Sequence, residues 1–175
     1  QASSSAASDV YKRQVMRCDL ADKDAVFKIV EGCDGILHLG GISIEDSWTP
    51  IKNGNIDGIV NLYEAVRLLD HPRIIFASTN HIVGFYPQDK FIDSTVYPQP
   101  DSLYGASKVF GEAIANVYHS KFGIETAIVR IGSCFPEPKT HRMLSLWLSY
   151  TDFVSLIECV SVSYTHLTLP TTMLV

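Results

Sequence analysis

The chain has 175 residues, of which 46% are hydrophobic and 19% are charged, and this is enough apolar material for one globular domain with a core. The formal net charge is -5 and the longest basic cluster is Lys12-Arg13, so nucleic acid is not an expected partner. The sequence contains no run of about 18 apolar residues, so no membrane span is predicted. The first residues lack the charged and apolar regions of a signal peptide, which favours the cytoplasm.

Predicted strands and helices alternate along the first half of the chain. A short strand at residues 15–17 precedes a helix near 23–31, which starts after Asp22 and ends at Gly32. Residues 35–39 predict a strand buried on both faces, and a long polar loop follows. A helix from about Gly58 then carries four apolar residues on one side, namely Leu62, Ala65, Val66 and Leu69.

The second half of the chain continues this alternation. Residues 73–78 and 125–131 predict two further strands, separated by a helix that follows Tyr104. That helix is expected to bury Val109, Phe110, Ala113, Ile114 and Val117. Strands separated by helices at this spacing indicate right-handed crossovers and a parallel sheet covered on both faces. The predicted fold class is α/β, a doubly wound parallel sheet.

Both ends of the chain depart from this pattern. Residues 1–13 are small, polar and without period, and the sequence after about Val160 fits no element that the preceding pattern requires. We expect residues 1–13 to be a non-native leader and residues 161–175 to be a non-native tail, of the kind left by vector read-through. Residues 14–160 then form the domain.

Cysteine and histidine residues show no spacing typical of a metal site. The four cysteines, Cys18, Cys33, Cys134 and Cys159, include no Cys-x-x-Cys pair and lie in apolar stretches. Reduced core thiols are therefore a better interpretation than a disulfide or a metal set. None of the six histidines pairs with another ligand at metal-binding spacing, so we predict no metal site.

Tyr104 and Lys108 lie on the same face of their predicted helix, because four residues correspond to about 400° of rotation. An ammonium about 5 Å from a phenol contributes about 3 kcal/mol at an effective dielectric constant of ~20, which lowers the pKa of the phenol. A second positive charge, such as an oxidised nicotinamide ring, would make the phenol a base for hydride transfer. An ordinary helix pair is the alternative, because this spacing also arises by chance.

Polar or glycine-rich sequence follows each predicted strand, and ligands of parallel sheets bind beyond the carboxyl ends of the strands. These strand ends are Asp19-Leu20, residues 39–41, residues 78–81 and residues 132–134. The glycines at 40 and 41 would let a backbone approach a ligand closely, although a tight turn explains them nearly as well. Residues 78–80 have a simpler alternative as a cap of the strand end.

Several motifs occur together at family-specific spacings: Tyr104-x-x-x-Lys108, Thr79 placed 25 residues before the tyrosine, Asp19-Leu20, Gly40-Gly41 and the helix containing Asn55. In this combination the chain resembles the extended short-chain dehydrogenase/reductase family, also called the NAD-dependent epimerase/dehydratase family. Residues 39–43, 76–81, 100–105 and 130–136 are similar to the uronate dehydrogenases of that family. The resemblance covers about residues 14–160 and implies a partial NAD-binding, Rossmann-like domain.

The resemblance implies a role for each residue that matches the family. Tyr104 becomes the general base, Lys108 tunes its pKa and binds ribose, and the Thr79 hydroxyl bonds the reacting oxygen. Uronate dehydrogenases mostly carry serine at the position of Thr79, and threonine keeps the hydroxyl. The implied cofactor is NAD, with Asp19, Leu20, Leu39, Gly40, Gly41, Asn55, Tyr104, Lys108, Ile131 and Cys134 as its binding residues.

The implied substrate is an aldohexuronate such as glucuronate or galacturonate. Tyr104 would take the proton of the C1 hydroxyl while hydride leaves C1 for NAD, which gives the aldarolactone. The implied substrate-binding residues are Ser43, Thr79, Asn80, His81, Ser133 and Arg142. Arg142 matches the position that binds the carboxylate in the family, and its alternative is a solvated surface arginine.

The chain also departs from the family. The glycine-rich phosphate loop, the first strand and the residue that separates NAD from NADP should precede residue 14, and about 30 residues of such sequence are missing. The sheet is thus expected to be incomplete at its N-terminal βαβ unit, and the chain is expected to bind the dinucleotide weakly or not at all. A nucleotide-sugar epimerase or dehydratase and a catalytically inactive fragment are the two alternatives. The oligomeric state, including a homo-oligomer of the parent protein, stays open.

Overall fold

The computed structural model describes residues 15–69, 72–162 and 172–173 of the chain. The leader predicted at residues 1–13 lies outside the described residues. Of the predicted tail, the description includes residues 161, 162, 172 and 173.

The described residues form helices and strands in alternation. In chain order they are α1 (Lys23–Val30), β1 (Gly35–His38), α2 (Trp48–Ile51), a π-helix (Lys52–Asp57), α3 (Gly58–Leu68), β2 (Arg73–Thr79), a 3₁₀ helix (Asn80–Val83), α4 (Leu103–Phe122), β3 (Thr126–Ile131), β4 (Ser133–Cys134), α5 (His141–Leu144), β5 (Trp147–Leu148), α6 (Tyr150–Val162) and β6 (Thr172–Met173). None of the helices in these ranges is long and apolar enough to cross a membrane.

The main sheet has the strand order β1-β2-β3-β6, and every neighbouring pair is parallel. β2 pairs on one side with β1, where Leu37 lies opposite Ile75, and on the other side with β3, where Ala77 lies opposite Val129. A separate pair, β4 and β5, is also parallel. The prediction of a parallel α/β sheet is confirmed, and its strands end together at the edge that carries the predicted site.

Helix α1 follows the capping signals in its sequence. Asp22 is its N-cap, and Asp22 Oδ1 accepts hydrogen bonds from the N–H groups of Asp24 and Ala25 at 3.0 and 3.1 Å. Gly32 follows the helix with a φ of 76°, a conformation that glycine adopts without a steric penalty. The predicted helix boundaries are therefore confirmed to within one residue.

The apolar core lies between β2 and the helices α1, α3 and α4. Its members are fully or almost fully buried and include Val26, Val30, Ile59, Leu62, Tyr63, Ala65, Val66, Ile74, Phe76, Ala115, Tyr118 and Ile124. The predicted burial of Leu62, Ala65 and Val66 on one side of α3 is confirmed. One cluster thus joins three helices to β2 and packs α4 against this strand.

Two strand predictions differ from the structure. Residues 15–17 form no strand, and Val15 is completely exposed, because no strand in the described residues pairs with this segment. β1 is not buried on both faces, since 43% of Leu37 is exposed. Among the described residues, β1 pairs with β2 alone and stands at the edge of the sheet.

The predicted polar loop before α3 is largely helical. α2 starts at Trp48 and runs through the π-helix directly into α3. Gly54 and its asparagine neighbours have low helix propensity, which explains why the sequence predicted a loop here. A tertiary contact of Asn55, described below, stabilises the wider π-helical turn, and such turns are frequent at functional sites.

The predicted buried face of α4 is correct in part, since Phe110 and Ile114 are partly buried against the core and Val109 is partly buried. Ala113 and Val117 are exposed, whereas Ser107, Lys108 and Glu112 are buried. Apolar residues recur on both sides of this helix, so periodicity alone selects no single face. The polar face can be buried because each of its three side chains finds a hydrogen-bond partner on another element.

The cysteines are also less buried than predicted. All four are free thiols, and Cys33 and Cys159 are exposed. Cys33 follows the end of α1, and Cys159 lies on the solvent side of α6. Their apolar sequence neighbours therefore did not indicate a core position.

Candidate active site

The three predicted catalytic side chains meet where β2 ends and α4 begins. Thr79 is the last residue of β2, and Tyr104 and Lys108 lie one turn apart in α4. Thr79 lies close enough to the Tyr104 phenol to lower its pKa, and Lys108 Nζ lies 5.9 Å from the centre of the Tyr104 ring. None of the three residues is more than 9% exposed. The fold therefore brings these side chains together, while their catalytic roles stay predictions.

Lys108 is held against β2. Its ammonium donates a hydrogen bond to the Ala77 carbonyl oxygen at 2.9 Å. It also lies 5.0 Å from the centre of the Phe76 ring, whose π face attracts a cation. Burial lowers the pKa of Lys108 to about 8, because desolvation disfavours the charged form. The ammonium is thus still charged at pH 7 and loses its proton in mildly alkaline solution.

The pKa of Tyr104 differs from the expectation based on helical spacing. Burial raises the pKa of the Tyr104 phenol, and the nearby Thr79 side chain opposes this effect in part. The Lys108 ammonium is engaged by the Ala77 carbonyl and the Phe76 ring instead of being directed at the phenol. At neutral pH the phenol is therefore protonated in the chain alone, and a further positive charge is needed to make it a base.

Asn55 clamps the loop after β1 to α4. Its Oδ1 accepts a hydrogen bond from the Ile42 N–H at 2.7 Å, and its Nδ2 donates to the Ile42 carbonyl at 3.0 Å and to the Ser107 hydroxyl at 2.8 Å. Gly41 precedes the clamp with a φ of 115°, and a side chain there would collide with Asn55 Oδ1. Asn55 is 7% exposed. The structure thus shows a clamp, and the contact of Asn55 with a cofactor stays a prediction.

The substitution Asn55→Ala is expected to lower the free energy of unfolding by about 2 kcal/mol, because it leaves buried partners of the amide without hydrogen bonds. Asn53→Ala is a matched control, since Asn53 is an exposed residue of the same π-helix and should change stability by no more than about 0.5 kcal/mol. Urea unfolding of both variants at 25 °C measures the difference. Equal midpoints would show that the clamp contributes nothing to stability.

A cavity of about 420 Å³ opens beside Tyr104. Its walls are Ser43, Ile44, Glu45, His81, Asp101, Ser102 and Tyr104. The His81 ring meets the Tyr104 ring edge-on with 5.7 Å between the centroids, and His81 Nδ1 lies 2.9 Å from Asp101 Oδ1. Ser43 and His81, both predicted to bind substrate, therefore share one space with the predicted base.

Glu45 is a residue of this site that sequence reasoning missed. Its carboxylate accepts hydrogen bonds from the N–H groups of Leu103 and Tyr104 at 3.2 and 2.9 Å. A carboxylate is stabilised at a helix N-terminus by unpaired N–H groups and by the helix dipole. Ser102, the N-cap of α4, carried a local sequence signal. Glu45 carried none, because 58 residues separate it from Leu103.

Gly40 and Leu20 lie against each other at the edge of the sheet. A Cβ atom at Gly40 would stand 2.9 Å from Leu20 Cδ1 and 3.5 Å from His38 Cε1, so a larger residue would require one of these side chains to move. Burial, followed by the charge of Lys108, lowers the pKa of His38 to about 4. The imidazole below Gly40 is therefore neutral at pH 7.

The other predicted cofactor residues differ in their positions and in their exposure. Asp19 is exposed in a turn, and 52% of Leu39 is exposed just after β1. Ile131 at the end of β3 and Cys134 in β4 are half-buried. The contacts of these four residues with NAD stay predictions.

The remaining predicted substrate residues are not among the walls of the cavity. Asn80 Oδ1 accepts a hydrogen bond from the Thr79 hydroxyl at 3.4 Å, and the Ser133 N–H donates to the Leu146 carbonyl at 2.9 Å. Arg142 belongs to α5, and its side chain lies outside the described part of the structure. In the described ranges, no group of three or more His, Cys, Asp or Glu side chains could hold a metal ion.

Comparison with known proteins agrees with this arrangement. The NAD dependent epimerase/dehydratase family matches residues 1–149 of the chain. The chain belongs to this family. It is 58% identical over 147 residues to the uronate dehydrogenase of Agrobacterium fabrum, and the match covers 84% of this chain and 56% of that protein. The chain therefore spans about half the length of the curated relatives that it matches.

Solved structures show the same fold. Glucuronic acid dehydrogenase from Chromohalobacter salexigens has a TM-score of 0.83 and 50% identity, over 89% of this chain and 61% of that chain. A variant of uronate dehydrogenase from Agrobacterium tumefaciens, complexed with NAD, has a TM-score of 0.81 and 58% identity, over 83% of this chain and 55% of that chain. The sheet is thus the Rossmann-like sheet of NAD-binding dehydrogenases.

Proposed function

We propose that the complete protein is an NAD-dependent uronate dehydrogenase, which oxidises an aldohexuronate at C1 to the aldarolactone. The observation that carries this proposal is the meeting of Thr79, Tyr104 and Lys108 beside a cavity that also contains Ser43 and His81. The similarity to enzymes named uronate and glucuronic acid dehydrogenase supports the choice of substrate.

The donors at this edge of the sheet fit a dinucleotide. The Lys108 ammonium has three N–H donors, and in the described part of the chain the Ala77 carbonyl accepts from one of them. The others are available for ribose hydroxyls. NAD, when bound, supplies the hydride acceptor and a positive nicotinamide ring. With that additional positive charge nearby, the buried Tyr104 phenol would ionise more readily.

In the proposed reaction, the ionised Tyr104 oxygen accepts the proton of the C1 hydroxyl. The Thr79 hydroxyl donates a hydrogen bond to the same substrate oxygen and orients it toward Tyr104. Phe76 and Ala77 hold the Lys108 ammonium 5.9 Å from the centre of the Tyr104 ring, and a positive charge at this distance favours the phenolate once it forms. Tyr104 and Thr79 thus act on the C1 oxygen of the substrate, and Lys108 acts on the Tyr104 phenolate.

The sugar acid would be recognised by several polar groups around the cavity. Ser43 and His81 line it, and we propose that Asn80 and Ser133 contact the sugar hydroxyls when the substrate is bound. Arg142 would pair with the substrate carboxylate, for which a guanidinium is well suited. The proposed partner is therefore a small sugar acid, and the proposed location of the enzyme is the cytoplasm.

The test uses a hybrid protein in which the matched segment of this chain replaces its counterpart in the Agrobacterium fabrum relative. We expect the hybrid to form NADH from NAD with glucuronate or galacturonate, and to form far less with glucose, which lacks the carboxylate. NADH absorbance follows the reaction. A hybrid that unfolds cooperatively on heating but turns over neither uronate would contradict the proposal.

A further inference from the structure

A buried ion pair lies directly beside the candidate active site. Arg130 in β3 donates two hydrogen bonds to Glu112 in α4, from Nε at 3.0 Å and from Nη2 at 2.7 Å. The Ser78 hydroxyl in β2 donates to Glu112 Oε1 at 2.5 Å. The side chains of Arg130 and Glu112 are 6% and 10% exposed. Ser78, Glu112 and Arg130, called the buried cluster below, thus connect three elements of the fold.

Each member of the buried cluster adjoins the candidate site. Ser78 immediately precedes Thr79 in β2, and Arg130 lies opposite Ser78 in the register of β2 with β3. Glu112 follows Lys108 by about one turn of α4 and lies on the same face. The buried cluster is therefore one residue or one helical turn away from side chains that the proposed reaction uses.

Stability alone does not account for a buried charge pair. Removing two charges from water is costly, and replacement of such a pair by apolar residues of similar volume is often neutral or stabilising. Arg130 Nη1 adds to the cost, because it is buried and has no hydrogen-bond partner among the described residues. What the pair does provide is direction, since a two-point guanidinium–carboxylate contact fixes an angle as well as a distance.

We infer that the members of the buried cluster are positioning residues, which hold β2, α4 and β3 at the relative height where the three predicted catalytic side chains meet. The catalytic consequence of this positioning rests on the proposed function. The positioning itself is a property of the 175-residue chain and can be measured without turnover.

The decisive variant carries Glu112→Leu and Arg130→Met together. These apolar side chains have similar volumes but cannot form the two hydrogen bonds that fix the angle between Arg130 and Glu112. We expect its urea midpoint to stay within about 0.5 M of that of the unaltered chain. The Lys108 ammonium, followed by NMR of isotope-labelled lysine, should titrate with a pKa moved from about 8 toward its ordinary 10.5. The reason is that α4 can then shift along β2 and release the ammonium to water.

Two single variants separate this effect from a general loss of structure. Glu112→Gln keeps the shape but leaves the Arg130 charge poorly paired, so its urea midpoint should fall by about 2 M. Glu64→Gln makes the same chemical change in the half-exposed pair with Arg67, and the titration of Lys108 should stay unchanged. In the hybrid protein, the double variant should lower kcat by about 100-fold. The KM for NAD should rise as well, because the displaced Lys108 ammonium is also the proposed ribose donor.

A folded double variant in which Lys108 titrates as before would overturn the inference. So would a large loss of stability in the double variant, because the pair would then act on stability. Neither result affects the formation of NADH by the unaltered hybrid, so failure of this inference is distinguishable from failure of the proposed function.

Discussion

The substitution Phe76→Ala is expected to lower the free energy of unfolding by about 4 kcal/mol, which is typical of a buried phenylalanine and a large part of the stability of an ordinary domain. Phe76 is 2% exposed and lies in β2, between two neighbouring strands. Its ring stacks on His38, with 5.9 Å between the ring centroids. A Cβ atom at Gly111 of α4 would stand 2.5 Å from Phe76 Cζ. The helix therefore rests directly on the ring, and alanine would leave a cavity beneath it.

Phe91→Ala provides the control, because 89% of Phe91 is exposed and its loss should change stability by no more than about 0.5 kcal/mol. Urea unfolding at 25 °C, followed by circular dichroism, compares the two variants. If their free energies of unfolding differed by less than about 1 kcal/mol, Phe76 would not support α4 as the packing indicates.

The substitution Tyr104→Phe is expected to lower the kcat of the hybrid protein by about 10²–10⁴-fold, the usual contribution of a general base. Phenylalanine keeps the ring and its edge-on contact with His81, so the change removes the hydroxyl and little else. Binding of NAD should persist, because Lys108 and the strand ends remain in place. Stopped-flow measurement of NADH formation separates the chemical step from binding.

Tyr97→Phe is the matched control, since it deletes the same atom from a tyrosine that is 81% exposed. Its kcat should equal that of the unaltered hybrid. In the unaltered hybrid, the rate should rise with pH, because the base acts as phenolate and burial raises the pKa of Tyr104. A Tyr104→Phe variant with kcat within tenfold of the unaltered value, or with the same pH profile, would exclude Tyr104 as the base.

Elements with local signals were predicted well. α1 carries an aspartate cap and a glycine at its end, and both capping contacts involve atoms within three residues of Asp22. The buried side of α3 follows from apolar residues at helical spacing. α6 shows the same helical spacing of apolar residues, and its half-buried side carries Phe153, Leu156, Ile157 and Val160.

Elements that depend on distant partners were not predicted. In the described strand order, β1 lies at an edge of the sheet. The strand order cannot be predicted from the residues of β1 alone. The π-helix is stabilised through Asn55, whose partner Ser107 is 52 residues away. The carboxylate of Glu45 likewise meets α4 from the loop after β1.

The sequence by itself determined that Tyr104 and Lys108 share one helix face and that Thr79 ends a strand of a parallel sheet, since these relations follow from local periodicity and spacing. Only the tertiary structure decided that the polar face of α4 is buried and that the Lys108 ammonium rests on β2. It also decided that Glu112 pairs with Arg130. Burial of a charged or polar side chain depends on a partner that compensates its desolvation, and such partners come from segments far apart in the chain.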